Sequence, residues 1–329
     1  MREYELEVLE QYDIEVINTH KVRGAYFCET KEGLFLLKEA EISEGRASFM
    51  YQLQRHLESA YGMKVDTPLH TKEGELFSVL PDGTKYILKK WFGGRECDVR
   101  RERDILEASS HLALLHSRMN WSEETPLPYV GRSVLTEMQG HNRELKKVRT
   151  FVRNRVKKNE FEYRFLENFD AMYRIAQQVT ARMASSEYQE LYLDSMKRGA
   201  LVHGSYNYHN ILFSQGKVVV ANFEHFRKDI QVQDLYYFLR KAMEKYQWEE
   251  QIGRQLLEAY ESIRPLEKRE KDYLALHLAY PEKFWKVVNA YANSNKAWIS
   301  DKSLEKLQIA ISQSKVKELF LEKIFAFHL

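Results

Sequence analysis

The residues best suited to chemistry crowd into one stretch of the chain, LVHGSYNYHNILFSQGKVVVANFEHF, residues 201–226. His203, Gly204 and Ser205 stand together, Asn210 and Asn222 follow, and Phe223-Glu224 comes directly behind. The apolar pattern reads as a strand ending at Val202, a loop over 203–210, a strand from Ile211 and a return strand over 218–221. Ser214-Gln215-Gly216-Lys217 supplies the turn between the last two. A side-chain amide such as that of Asn222 can offer a carbonyl oxygen to a hard dication, although such an ion prefers carboxylates. Ser205 carries no charge and is not a base at neutral pH.

This stretch resembles the catalytic segment of aminoglycoside phosphotransferases, choline kinases and their relatives. Those proteins carry H-G-D-x-x-x-x-N in such a loop and, after a short hairpin, D-F-D or D-F-E. His203, Gly204 and Asn210 match; Ser205 stands at the family's first Asp and Asn222 at the Asp of the Asp-Phe pair. In phosphoryl transfer the loop Asp orients the acceptor hydroxyl and takes its proton, while the Asn and the second Asp hold magnesium on the nucleotide phosphates. The resemblance therefore implies catalytic positions at Ser205 and His203 and metal positions at Asn210 and Asn222. Both key acids are replaced, and loss of a positioned base alone costs about 10²–10⁴ in rate.

Further motifs resemble the CotS-type spore coat proteins, in the same order, over about residues 10–320. They are the W-x-x-G-R-E segment at Trp91–Glu96, LEASSHLALLH at 106–116, Y-P-E-K-F-W at Tyr280–Trp285 and the asparagine-containing run Tyr291–Trp298. By this resemblance Lys38, in FLLKEA, is the strand lysine that grips nucleotide phosphates; Gly24 and Trp91 lie on the nucleotide side as well. Val22-Arg23-Gly24-Ala25 holds one glycine, a poor phosphate loop. A glutamate on the next helix should pair with Lys38, and Glu44 and Glu58 are the candidates, neither at mid-helix. Asp234, with Leu235, is expected to cap or brace the catalytic loop.

The elements that must position these residues fall into two parts. Residues 1–94 show an amphipathic start, strand-like runs at 14–19, 25–29 and 34–38, a helix over 42–60, and strands near 76–80 and 86–91. Pro81-Asp82-Gly83-Thr84 is a turn by composition. Beyond Gly93-Gly94, residues 95–329 are helical almost throughout, interrupted by 201–226. Ile105, Ala108, Leu112 and Leu115 form one helical stripe that ends at His116, a residue favoured there by the helix dipole. The expected fold is α+β: a bilobal protein-kinase-like fold with a small β-rich N-terminal lobe and a larger, mostly helical C-terminal lobe.

Composition narrows the function classes. Fifty Lys and Arg against 48 Asp and Glu leave a net charge of +2, without the basic excess of a nucleic-acid-binding protein. No apolar run approaches a membrane span, and the acidic start is no signal peptide. Cys28 and Cys97 lack metal-ligand spacing and read as reduced thiols of a cytosolic protein. Residues 146–158 hold seven Lys and Arg and no acid, with Lys146, Arg149, Arg153 and Lys157 on one face of a helix. That face is either solvated and balanced by Glu160, Glu162 and Glu167, or a dock for an acidic partner.

The expectation is thus a pseudokinase of the spore coat type, cytoplasmic or on the spore coat, with ATP and magnesium binding weakened or lost. It would act as a scaffold or nucleotide sensor, with coat proteins or an acidic molecule as partner, and with no nucleic acid or membrane. One alternative is an active ATP-dependent phosphotransferase in which Glu224, Asp229 or Asp234 supplies the missing acid. Another is a structural coat protein whose cleft is filled by Trp91, Phe92 or Phe223.

Overall fold

The computed structural model describes residues 4–22, 24–121, 127–294 and 301–329. Arg23 and residues 295–298 of the asparagine-containing run lie outside the described residues. The N-terminal lobe is one antiparallel sheet in the order β1-β2-β3-β5-β4, formed by β1 (Val16–Val22), β2 (Ala25–Thr30), β3 (Leu34–Glu39), β4 (Ser78–Val79) and β5 (Lys85–Trp91). Period-2 alternation gives the sheet two faces. Tyr26, Cys28, Phe35, Leu37, Tyr86 and Leu88 pack with Val8 and Leu9 of the 3-10 helix Tyr4–Gln11 and with Tyr12 just behind it. The intervening positions, Lys38 on β3 and Ile87 and Lys89 on β5, point the other way, toward the second lobe. The turn between β4 and β5 is closed by Leu80 N–H on the Thr84 carbonyl, and Asp82 accepts from Thr84 N–H at 2.9 Å.

Helix α1 (Glu44–Tyr61) starts at Ser43, whose hydroxyl accepts from the N–H of Arg46, and stops at Gly62 in the left-handed region. Its buried stripe is Ala47, Met50, Leu53, Gln54 and Leu57, so a glutamine sits among apolar residues on the inward face. After β6 (Arg95–Glu96), the C-terminal lobe follows as α2 (Glu102–His116), α3 (Val134–Asn154), α4 (Glu160–Ala184) and α5 (Tyr188–Lys197). Helix α4 opens with a capping box, Asn159 with Glu162. Because α3 ends at Asn154, Lys157 falls beyond the helix and does not share a face with Lys146, Arg149 and Arg153. Arg149 pairs with Asp170 at 2.9 Å and Arg155 with Glu162, whereas Glu160 takes no part.

The strand β7 (Leu201–Val202), the hairpin β8 (Ile211–Ser214) and β9 (Lys217–Val220), and β10 (Arg227–Lys228) interrupt the helices as the sequence pattern predicts. β10 pairs with β7, and β8 lies between β6 and β9. Five helices complete the chain: α6 (Val232–Lys245), α7 (Glu250–Glu261), α8 (Lys268–Ala279), α9 (Glu282–Ala292) and α10 (Asp301–Phe325). The lobes are stitched together near the hairpin, where Val65 bridges Val220 and Val220 N–H reaches the Lys64 carbonyl. That bridge delivers the next residue, Asp66, to the interior between the lobes.

Candidate functional site

The loop after β7 is held from behind by a single carboxylate. Asp234, in the first turn of α6, accepts the backbone N–H of His203 at 2.6 Å and of Gly204 at 2.9 Å. Burial alone would raise its carboxyl, but the hydrogen bond and charge of His116, with His203 and Arg227, outweigh burial and hold it below the usual range. His116 is fully enclosed, bonded to the Tyr260 hydroxyl at 2.7 Å, and burial pushes its pKa down. Its ring also faces the Asp234 carboxylate at 3.4 Å.

His203 is also buried, and burial again pushes its pKa down. Its Nδ1 accepts from Ser205 N–H at 3.2 Å, which leaves the proton on Nε2 for the Ala221 carbonyl at 3.1 Å. Its ring meets Phe223 edge-on with centroids 4.6 Å apart. Gly204 adopts φ +77°, and a Cβ there would stand 2.2 Å from the His225 carbonyl oxygen, so only glycine fits.

The cleft side of the loop is a chain of amides. Asn222 donates to Asn210 Oδ1 at 2.8 Å, and Asn210 donates to the Ser205 carbonyl at 2.8 Å and its hydroxyl at 3.2 Å. Asn207 bonds the same two oxygens of Ser205. Asn222 and Asn210 thus satisfy one another, and Ser205 accepts from the amides of Asn210 and Asn207. Asn222 adopts φ 65°, a left-handed conformation that asparagine tolerates better than most residues.

A four-charge cluster lies beside that chain. Lys89 on β5 is fully buried, 3.0 Å from Asp66 and 2.5 Å from Glu224. Asp66 also accepts from Gln54 of α1 at 2.7 Å and from Asn222 N–H at 2.8 Å. Lys38 reaches the same oxygen of Glu224 at 3.6 Å, and its side chain keeps 35% of its surface exposed. Burial works against the charge on Glu224, but Lys89 and then Lys38 outweigh it and hold the carboxylate well below its usual range. Burial raises Asp66 and Lys89 opposes it. Arg46 of α1 donates to the carbonyls of Glu224 and Phe226.

The expected glutamates are engaged elsewhere: Glu44 pairs with Lys85 at 2.6 Å and Glu58 with Lys90 at 3.1 Å. Lys38 takes its counter-charge from Glu224 instead. Helix α1 offers glutamine, not glutamate, at its buried middle, so the ion pair moved to the loop that follows β9. Sequence reading also missed Lys89, Asp66, Gln54 and Arg46. Lys89 had a signal, since alternation along β5 places it in register with Ile87 on the inward face.

An open cleft of ≈ 740 Å³ runs between the lobes, and its lining includes Lys38, Ile87, Ser205, Asn210, Asn222 and Glu224. Gly24 lies at the β1–β2 turn and Trp91 packs on Phe27 at 5.8 Å; neither lines the cleft. Trp91, Phe92 and Phe223 do not fill it, because Phe223 is in the core and the other two are absent from its walls. Of the candidate replacement acids only Glu224 faces the cleft. Asp229 is buried against Arg227 at 3.0 Å, and Asp234 is committed to the loop backbone. Among the described residues no three His, Cys, Asp or Glu are grouped to hold a metal.

Sheet lobe, connector, helical lobe and braced loop define the protein-kinase-like fold of the small-molecule phosphotransferases. A crystal structure of an aminoglycoside phosphotransferase from Alicyclobacillus acidocaldarius superposes with a TM-score of 0.86 at 19% identity, covering 97% of this chain and 94% of that one. Spectinomycin phosphotransferase in complex with ADP and spectinomycin gives 0.65 at 13%, covering 96% and 97%. Within that fold the chain belongs to the family described as spore coat putative kinase YutH, matched over residues 5–324. Spore coat protein S of Bacillus subtilis is 23% identical over 316 residues, 92% of this chain and 87% of that protein.

Proposed function

We propose that this chain is a pseudokinase of the spore coat kinase family: a kinase-fold scaffold or nucleotide sensor that does not transfer phosphate. The observation that carries the reading is the state of the two replaced acids. Ser205 and Asn222 are linked through Asn210 into one neutral hydrogen-bonded chain. The remaining carboxylate, Glu224, is shared by two ammonium groups. Magnesium demands hard, preferably anionic oxygens in near-octahedral array, and this donor set fits it poorly.

Lys38, partly exposed in the cleft, is the residue that would meet a nucleotide phosphate. Association with the spore coat is the site of action the family supports. An acidic partner would meet Lys146, Lys147, Arg153 and Lys157, which have no carboxylate partner among the described residues. A second reading, an active phosphotransferase using Glu224, draws on that residue's place in the cleft wall. It requires Lys89 and Lys38 to release the carboxylate.

A phosphotransfer assay from magnesium-ATP, with and without small hydroxyl acceptors, separates the two readings. The pseudokinase reading expects the same background from the wild type and Lys38→Met. Turnover that disappears in Lys38→Met would establish the enzyme instead.

A further inference from the structure

A lysine ammonium wholly removed from water is costly unless it is paired and hydrogen-bonded. Lys89 is such a group, with 0% of its side chain exposed, and it is paired twice. Its position on β5 aims it at the segment after β9, where this fold's phosphotransfer chemistry calls for a divalent ion. The two carboxylates it joins come from distant parts of the chain, Asp66 behind the bridge to β9 and Glu224 behind Asn222. With Lys38 the cluster holds two positive and two negative charges and is neutral as it stands.

Four side chains hold the segment 222–226. Asp66 holds the N–H of Asn222, Lys89 holds the Glu224 carboxylate, and Arg46 holds two carbonyls. His203 supports the ring of Phe223. No point of attachment requires an ion.

We infer that Lys89 is a built-in substitute for the divalent cation, bridging the carboxylates of Asp66 and Glu224 so that the 222–226 segment is locked without metal. This deepens the pseudokinase reading and rests on it. The two ammonium groups divide the work: Lys89 is sealed in and structural, whereas Lys38 has free surface and can turn from Glu224 to an anionic ligand. An anion entering the cleft therefore exchanges one partner of Lys38 and leaves the Asp66–Lys89–Glu224 lock intact.

The test is thermal and denaturant unfolding of the full chain, in excess EDTA and in millimolar magnesium or manganese. The wild type is expected to unfold at the same midpoint in all three. Lys89→Met strands two buried carboxylates and is expected to lower the folding equilibrium roughly a hundredfold or more. The triple change Lys89→Met/Asp66→Asn/Glu224→Gln removes the charges together and is expected to recover most of that loss, which keeps the test valid if the single variant does not fold. A wild type stabilised by magnesium, a Lys89→Met variant as stable as the wild type, or a triple variant worse than the single one would each overturn the inference. None of these outcomes depends on phosphotransfer, so the pseudokinase reading stands or falls separately.

Discussion

The rear of the loop at 203–210 and its cleft face are made to different standards. Behind the loop, Asp234 accepts two backbone N–H groups at 2.6 and 2.9 Å, with the buried rings of His116 and His203 packed around it. On the cleft face, a few ångströms away, only serine and asparagine stand at the reactive positions, bonded to one another. Holding a kinase loop in shape and running kinase chemistry on it are separable tasks. In the proposed reading this chain keeps the residues for the first task and lacks those for the second.

The comparison can be broken most forcefully from behind. Asp234→Ala leaves the N–H groups of His203 and Gly204 buried without an acceptor, at about 1–3 kcal/mol each. A loss of about 3 kcal/mol or more in unfolding free energy is expected by denaturant titration. A loss of less than about 1 kcal/mol would show that the rear brace does not hold the loop.

Acid attacks the same side. His116 and His203 have folded-state pKa values pushed down by burial from an unfolded value of 6.5. Their contribution is therefore full above the unfolded value and is lost as pH falls through the folded one. Unfolding free energy measured from neutral pH downward should begin to fall below about pH 6.5, by up to about 1.4 kcal/mol per pH unit for each histidine. His116→Leu should flatten that slope. An unchanged slope would remove His116 from the account.

The smallest effect belongs to the cleft face. Ser205→Ala removes a hydroxyl whose amide donors also bond the Ser205 carbonyl, so a change of about 1 kcal/mol or less is expected. A large loss there would make Ser205 a structural residue and erase the contrast.

How much of this was legible in the sequence follows the same division. Local patterns gave the order of strands and helices and the turn at 81–84. Ordered motifs placed His203, Ser205, Asn210 and Asn222 in one loop system, and Asp234 behind it. These features are written within a few residues of one another, as caps, turns and alternation. The charge cluster is not. Lys89 meets Glu224 across 135 positions, and Asp66 meets Asn222 across 156. Asp66 lies in a segment with no periodicity to orient it. The partner of Lys38 was sought on the helix after its strand, the local choice, but Gln54 occupies the inward face there and the charge comes from the distant loop. Register along β5 was the one local cue available, since a lysine between Ile87 and Trp91 on an inward face needs a buried partner.

The most direct measurement of the central claim is a calorimetric titration of ATP into the wild-type protein, once in magnesium and once in EDTA. If the cleft face has lost its metal site, the affinity, however weak, should be the same in both within about twofold, and Lys38→Met should reduce it. A tightening by magnesium of about tenfold or more, worth about 1.4 kcal/mol, would show that Asn210, Asn222 and Glu224 still assemble a working metal site, and would contradict the account.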